Sequence, residues 1–410
     1  MNGILERNLS TKSAFKLSGA DGIRAIACLA VIMHHLSQRL APEAQTPFMQ
    51  VVQSFLLMGN TGVSVFFVLS GFLLSYPFWK QYLWGESFPS MKQYAARRAA
   101  RIMPGYYLSL IVSCIVIPLL FHIPVKSLLV RFLSGFFFVA GFHYVTFFPS
   151  EINGPLWSIS FEVLCYLLMP LFMYGLYKLV KSKRSFGKAI LYWIGVLAFI
   201  TLLNQLIHAF LTPGNVEKGW QYGLIGGAKY WMPNYNPIGF FAHFSMGIMA
   251  AGVTAWLYKM SDRVPRLKEK GMFDIIGVVS LLAALGLLFV MRLSPEFSLS
   301  IQNQPYFFPL YALLIACTLA AVPHSNWFGR LLDNPFFRYT AKVSFGLYIW
   351  HYLVLGIVSN FWFTDFQEFS VKSPTMWLGV SLIIIVISYV IATLTYYFIE
   401  KPVLDRVHKK

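Results

Sequence analysis

The chain has 410 residues, of which 57% are hydrophobic and only 12% are charged. Because soluble domains carry about 25% charged residues, this composition excludes an ordinary soluble protein and predicts an all-α integral membrane protein. The formal net charge of +17 does not predict a nucleic-acid partner, because lysine and arginine gather in the cytoplasmic loops of membrane proteins. The four cysteines fall in apolar stretches without metal-ligand spacing, so we expect no metal site and no disulfides.

Eleven apolar stretches follow one another along the chain. They cover residues 23–40, 51–78, 102–121, 128–148, 156–177, 189–211, 237–258, 272–291, 305–322, 343–362 and 375–398. We expect residues 1–20 to be a cytoplasmic lead, 21–398 to form the membrane domain, and 399–410 to be a basic cytoplasmic tail. No small-residue cleavage site follows the first apolar stretch, which favours a retained span over a removed signal peptide.

The basic residues indicate which stretches cross the membrane. Three clusters lie at 80–101, 178–188 and 259–270, and all three reach the cytoplasm only if one stretch does not cross. Stretch 128–148 is the best exception, because it contains Arg131 and several small residues. We therefore predict about ten transmembrane helices plus one re-entrant or interfacial segment, with both termini in the cytoplasm.

The first predicted span carries two adjacent histidines, His34 and His35, deep in its apolar run. An ionisable ring inside a membrane span is a functional-site hypothesis by default. Adjacent residues on a helix point about 100° apart, so we expect only one of the two rings to face the protein interior. The alternative is a packing histidine that bonds a neighbouring carbonyl group.

Glu162 is predicted to lie at nearly the depth of His35. Helix rise places His35 roughly 18 Å and Glu162 roughly 21 Å above the inner membrane boundary. A carboxylate beside the imidazole would orient the ring and stabilise its protonated form. The alternative for Glu162 is a structural bond to Trp157, Ser158 or Ser160.

His351 is predicted to lie roughly 13 Å above the inner boundary. It either lines the same cavity as His35 or packs beneath Trp350 and Tyr348.

Two arginines, Arg98 and Arg101, share a helix face at the inner mouth of the third apolar stretch. Guanidinium groups bind phosphate in a bidentate manner, so this pair fits a phosphorylated ligand. The alternative is that they are cytoplasmic anchors, as the positive-inside rule favours. Asp21 and Arg24, also three residues apart, lie at the same boundary, where a local ion pair would seat the first helix.

Six motifs together resemble the membrane acyltransferases of acyltransferase family 3. They are 21–24 with His35; 62–72; 98–101 with Pro104; 157–158 with Glu162, Tyr166 and Pro170; 344–351; and 398–402. The resemblance implies acyl transfer, often of acetyl, from coenzyme A to a hydroxyl of a carbohydrate or lipid-linked acceptor. It also implies that His35 is the essential histidine and that Arg98 and Arg101 form the arginine motif. Ser64 stands where many members have Asp, so we assign it no catalytic role.

We therefore predict a multi-pass O-acyltransferase of the bacterial inner (plasma) membrane, in contact with lipid. We expect it to use cytoplasmic acyl-CoA, specifically acetyl-CoA, and no metal. The predicted site residues are His35 as general base, Glu162 as its orienting partner, Arg24, Arg98 and Arg101 for acyl-CoA, and His351, Tyr348 and Trp157 for substrate. The chain ends soon after its last predicted span, so we expect direct transfer or a separate extracytoplasmic partner protein. The alternatives are a proton-coupled transporter or flippase, with His and Glu as a proton relay, and a scaffold subunit of an export complex.

Overall fold

The computed structural model describes residues 17–121, 127–143, 145–150, 152–180, 185–210, 235–260, 264–293 and 310–408. The α-helices in these ranges are α1 (Ala20–Ser37), α2 (Pro47–Leu57), α3 (Gly62–Trp84), α4 (Met91–Leu120), α5 (Leu128–Phe136), α6 (Trp157–Leu179), α7 (Phe186–Phe210), α8 (Pro237–Lys259), α9 (Val264–Glu269), α10 (Met272–Leu293), α11 (Leu310–Ala321), α12 (Phe328–Leu332), α13 (Pro335–Phe361), α14 (Pro374–Thr395) and α15 (Lys401–His408). Within the described ranges, the only β pairing is a single bridge between Leu40 and Val371.

Eight segments in these ranges are long and apolar enough to span a membrane. They are Pro47–Trp84, Met91–Val116, Gly154–Leu179, Phe186–Phe210, Pro237–Lys259, Met272–Met291, Pro335–Phe361 and Pro374–Val407. The outer face of α14 is typical: Leu378, Leu382, Val386, Val390 and Leu394 recur every fourth residue and are 51–60% exposed. A continuous apolar stripe of this kind is suited to lipid rather than water. The protein is therefore a multi-pass membrane protein.

Several predicted spans differ in detail from the helices observed. The stretch 51–78 is divided between α2 and α3 by a short 3₁₀ turn, Met58–Thr61. Of the stretch 305–322, residues 305–309 lie outside the described ranges, as do residue 211 of the stretch 189–211 and residues 1–16 of the predicted lead. Residues 181–184 and 261–263, in two of the basic clusters, also lie outside them. The count of ten crossings and the cytoplasmic termini stay predictions.

The stretch 128–148 contains no helix long enough to cross a bilayer among its described residues. Its helix α5 has nine residues, which rise about 14 Å against a hydrocarbon thickness of about 30 Å. Arg131 is buried there and donates a hydrogen bond of 2.9 Å to the carbonyl oxygen of Phe148. This agrees with a segment that enters or borders the membrane without crossing, and either arrangement fits the short helix.

Helices α3 and α8 pack with their backbones in contact. A Cβ atom on Gly71 would lie 2.0 Å from the carbonyl oxygen of Phe244, and one on Gly247 would lie 1.8 Å from that of Val68. Only glycine permits this approach, which is how membrane helices associate without a hydrophobic driving force.

The C-terminal end of α1, which carries the two histidines, is fixed by donors to its free carbonyl groups. Gln53 donates to the carbonyl oxygen of Ser37 at 3.0 Å, and the Trp377 indole donates to that of Leu36 at 2.8 Å. Backbone amides in 369–371 bond the next carbonyls. Because a helix end leaves its last carbonyls without intrahelical partners, these contacts stabilise the final turn of α1.

The predicted cytoplasmic tail begins as packed helix. A π-helical turn, Tyr396–Glu400, joins α14 to α15, so the predicted boundary between 398 and 399 falls inside this continuous helical region. α15 packs against α4. Glu400 is only 1% exposed, and its Oε2 lies 3.5 Å from Nη1 of Arg101. Turns of this kind are frequent at functional sites.

Candidate active site

His35 and His351 form a hydrogen-bonded pair between α1 and α13. Nδ1 of His35 lies 3.0 Å from Nε2 of His351, and Nδ1 of His351 lies 2.9 Å from the carbonyl oxygen of Leu347. A carbonyl can only accept, so in the neutral pair Nδ1 of His351 carries a proton and its Nε2 accepts from His35. Nε2 of His35 is then the unprotonated nitrogen, the form that a general base requires.

His34 makes a different contact from its neighbour. Its Nδ1 lies 2.6 Å from the carbonyl oxygen of Leu57 at the end of α2. His34 is therefore the histidine that bonds a neighbouring carbonyl, whereas His35 bonds the ring of His351. Both rings are half-buried against other parts of the protein, so the prediction that only one of them faces the protein interior is wrong.

Tyr352 also borders His35, a contact that the sequence analysis did not identify. The centroids of the two rings are 4.8 Å apart in an edge-to-face arrangement. The Tyr352 hydroxyl in turn interacts with the guanidinium of Arg39, which is only 6% exposed. The only available signal was that Tyr352 follows His351 directly.

A narrow polar cavity lies among α1, α3, α4, α6 and α13. Its polar lining residues come from all five helices and are Arg24, Ser70, Arg98, Arg101, Ser158, Glu162, Tyr166, Ser344 and Tyr348. Its free volume is about 100 Å³, well below the roughly 300–1,000 Å³ of a typical small-molecule pocket. A space of this size admits a thin chain but not a nucleotide. The structure thus brings all three predicted acyl-CoA arginines and Glu162 to one cavity.

Glu162 is not the hydrogen-bonding partner of His35. Its Oε1 accepts from Ser70 Oγ at 3.1 Å and from the Tyr166 hydroxyl. No hydrogen bond joins it to His35, although the structure describes both residues, and His351 occupies the expected place beside that ring. Glu162 instead lines the cavity with the arginines. The depth predicted for Glu162 in the membrane did not indicate on which side of α6 its side chain lies.

Tyr348 connects the cavity with the histidine pair. It lines the cavity, its hydroxyl lies 2.8 Å from Ser158 Oγ, and its ring centroid is 6.2 Å from that of His351. Trp157, also a predicted substrate residue, is 8% exposed and stacks on Phe147 at 5.3 Å. Trp157 is therefore part of an aromatic core cluster and is not among the residues that line the cavity.

A second, wider cavity of about 590 Å³ adjoins the first and shares Arg24 and Arg101 with it. We call it the basic mouth, and its lining residues are Asp21, Arg24, Arg101, Pro335, Arg338, Tyr339, Ala341, Lys342 and Tyr396. Arg338 and Lys342 lie outside the six motifs, so no motif predicted them as site residues. Because Arg24 and Arg101 belong to both linings, the basic mouth and the narrow cavity are neighbours.

Together, the membrane-spanning helices, the histidine pair and the arginine-lined cavity define an integral membrane protein with a polar site among its helices. A family model described as an acyltransferase domain matches residues 17–393. The chain therefore belongs to this acyltransferase family, as the six motifs predicted.

The chain is also similar to several bacterial proteins. It is 26% identical over 399 residues to a Listeria monocytogenes protein named peptidoglycan O-acetyltransferase, covering 93% of this chain and 55% of that protein. It is 25% identical to a putative O-acetyltransferase of Staphylococcus aureus strain COL (94% and 57%) and 27% identical to a putative peptidoglycan O-acetyltransferase of Bacillus subtilis (94% and 55%). The chain thus spans little more than half the length of these relatives. No solved structure matches it significantly.

Proposed function

We propose that this protein transfers an acyl group, specifically acetyl, from cytoplasmic acyl-CoA to a hydroxyl of a carbohydrate or lipid-linked glycan. The observation that carries the proposal is the His35–His351 hydrogen bond of 3.0 Å. It leaves Nε2 of His35 available as a base. Tyr348 lines the cavity that contains three arginines, and its ring centroid lies 6.2 Å from that of His351. The family membership and the relatives' names support acyl transfer over the alternative of a proton-coupled transporter.

His35 acts as the general base in this proposal. Its Nε2 takes the proton of the acceptor hydroxyl while the hydroxyl oxygen forms a bond to the thioester carbonyl carbon. The carbon–sulfur bond then breaks, and the leaving thiolate takes the proton back from His35. His351 keeps the His35 ring in one orientation and accepts from its Nδ1 throughout, which favours the protonated ring when it forms.

The two neighbouring cavities support a donor that binds at a distance from His35. Eleven residues of α1 separate Arg24 from His35, a rise of about 16 Å. A donor whose phosphates meet Arg24, Arg98 and Arg101 therefore needs a long, thin arm to bring its thioester to the base, and coenzyme A has one. Glu162 acts on the donor side, where its carboxylate balances the charge of the arginines.

The acceptor is proposed from the relatives' names. Two of the relatives described above are named for peptidoglycan, so the glycan of peptidoglycan is the first acceptor to test. We place the reaction in the plasma membrane of a bacterium, with the acceptor on the outer side and a separate extracytoplasmic protein as a partner where transfer needs a further step.

Purified protein in lipid nanodiscs, given acetyl-CoA and isolated peptidoglycan, tests the proposal. We expect release of free coenzyme A thiol and acetyl ester on the glycan, both dependent on His35. His35→Ala should lower turnover about 10²- to 10⁴-fold with little change in coenzyme A binding. His34→Ala is the matched control and should be much milder, because His34 bonds the Leu57 carbonyl and not His351. Wild-type turnover in His35→Ala would refute the assignment of the base.

A further inference from the structure

Two cationic residues of the basic mouth, Arg338 and Lys342, have no role in the proposed function. Arg338 and Lys342 are four residues apart on the first turns of α13, so they share a helix face. Both are exposed, and both line the basic mouth without lining the narrow cavity. Their position is therefore outward of Arg24 and Arg101, which line both spaces.

The charges of the other mouth residues are already partly balanced. Arg101 lies 3.5 Å from the buried carboxylate of Glu400, and the charge of Arg24 interacts favourably with Asp21. Within the described part of the chain, neither Arg338 nor Lys342 has an acidic side chain within ion-pair distance. The outer part of the basic mouth is therefore the part with uncompensated positive charge.

We propose that the outer part of the basic mouth binds a phosphate monoester on the nucleotide end of the donor, through Arg338 and Lys342. This inference rests on the proposed function, because it assumes an acyl-CoA donor. Coenzyme A carries a pyrophosphate between its arm and its ribose, and a separate 3′-phosphate on the ribose. With the arm in the narrow cavity, the pyrophosphate meets Arg24 and Arg101, and the 3′-phosphate reaches the α13 cations.

The sizes and linings of the two spaces agree with this order. The basic mouth, at about 590 Å³, has room for a nucleoside, whereas the narrow cavity, at about 100 Å³, does not. The side chains of Tyr339 and Tyr396 also line the basic mouth, and aromatic faces of this kind bind a base by stacking. A guanidinium beside an ammonium suits a doubly charged monoester, because each contributes a charge-assisted hydrogen bond.

The test compares acetyl-CoA with acetyl-3′-dephospho-CoA, which lacks only the monoester. The proteins are wild type, Arg338→Ala, Lys342→Ala and the double variant, in nanodiscs of zwitterionic lipid. For the wild type we expect the KM to be about tenfold or more higher for the dephospho donor. For the variants, we expect the KM for acetyl-CoA to be as high as the wild-type KM for the dephospho donor. They should therefore discriminate little between the two donors, and kcat should be nearly unchanged.

The control is Arg330→Ala. Arg330 is an exposed cation of α12 that lines neither cavity, so this variant should discriminate between the two donors as the wild type does. Arg338→Lys keeps the positive charge and should retain part of the discrimination between the two donors. Calorimetric binding of coenzyme A and 3′-dephospho-coenzyme A supplies a readout that does not need turnover. Equal affinity of the wild type for the two, or full discrimination in the double variant, would overturn the inference. Discrimination in binding without any acyl transfer would support the phosphate site and refute the proposed function.

Discussion

Replacing His351 tests how His35 is held as a base. Nε2 of His351 is the acceptor for Nδ1 of His35 at 3.0 Å, and its own Nδ1 is fixed by the Leu347 carbonyl. His351→Ala removes this acceptor and leaves the His35 ring with its hydrogen bond to the Val31 backbone, so the loss is that of one hydrogen bond, about 0.5–1.5 kcal/mol. If that loss is expressed fully in the transition state, kcat falls roughly 2- to 13-fold.

The assay is acetyl-CoA turnover by the nanodisc protein, with kcat and the donor KM determined separately. His351→Gln is the companion variant, because its side-chain oxygen can accept from Nδ1 of His35 and should restore part of kcat. The KM for acetyl-CoA should change little in either variant, since His351 does not line the donor cavities. Wild-type kcat in His351→Ala would show that the histidine pair plays no part in turnover.

Three further predictions concern the donor side and the end of α1. Arg98→Ala and Arg101→Ala should each weaken coenzyme A binding roughly ten- to hundredfold, measured by calorimetry; unchanged affinity in both would leave them as membrane anchors. Glu162→Gln keeps the acceptor oxygen but removes the charge that balances the arginines, so the donor KM should fall about two- to fivefold; a large loss of kcat alone would instead link Glu162 to the base. Trp377→Phe removes the donor to the Leu36 carbonyl and should lower the free energy of unfolding by about 1–3 kcal/mol, seen as a lower Tm in detergent; an unchanged Tm would contradict that role.

Composition and local spacing were enough to predict the class of protein and part of the candidate site. The scarcity of charged residues excluded a soluble fold, because a bilayer interior accepts few of them. The three-residue spacing of Arg98 and Arg101 requires that they share a helix face, and both line the narrow cavity. His35 was recognisable from the sequence because a titratable ring in an apolar helix is costly unless it has a partner or a function.

The sequence alone could not predict which group meets His35. Counting residues along a span gives the height of a side chain in the membrane but not its direction around the helix axis or the position of that helix among its neighbours. Glu162 and His35 were predicted at similar heights, yet Glu162 bonds Ser70 and Tyr166. The partner of His35 is His351, which lies 316 residues away in the chain. Only the packing of α1 against α13 brings these two rings together, because that contact depends on the tertiary arrangement of the whole helix bundle.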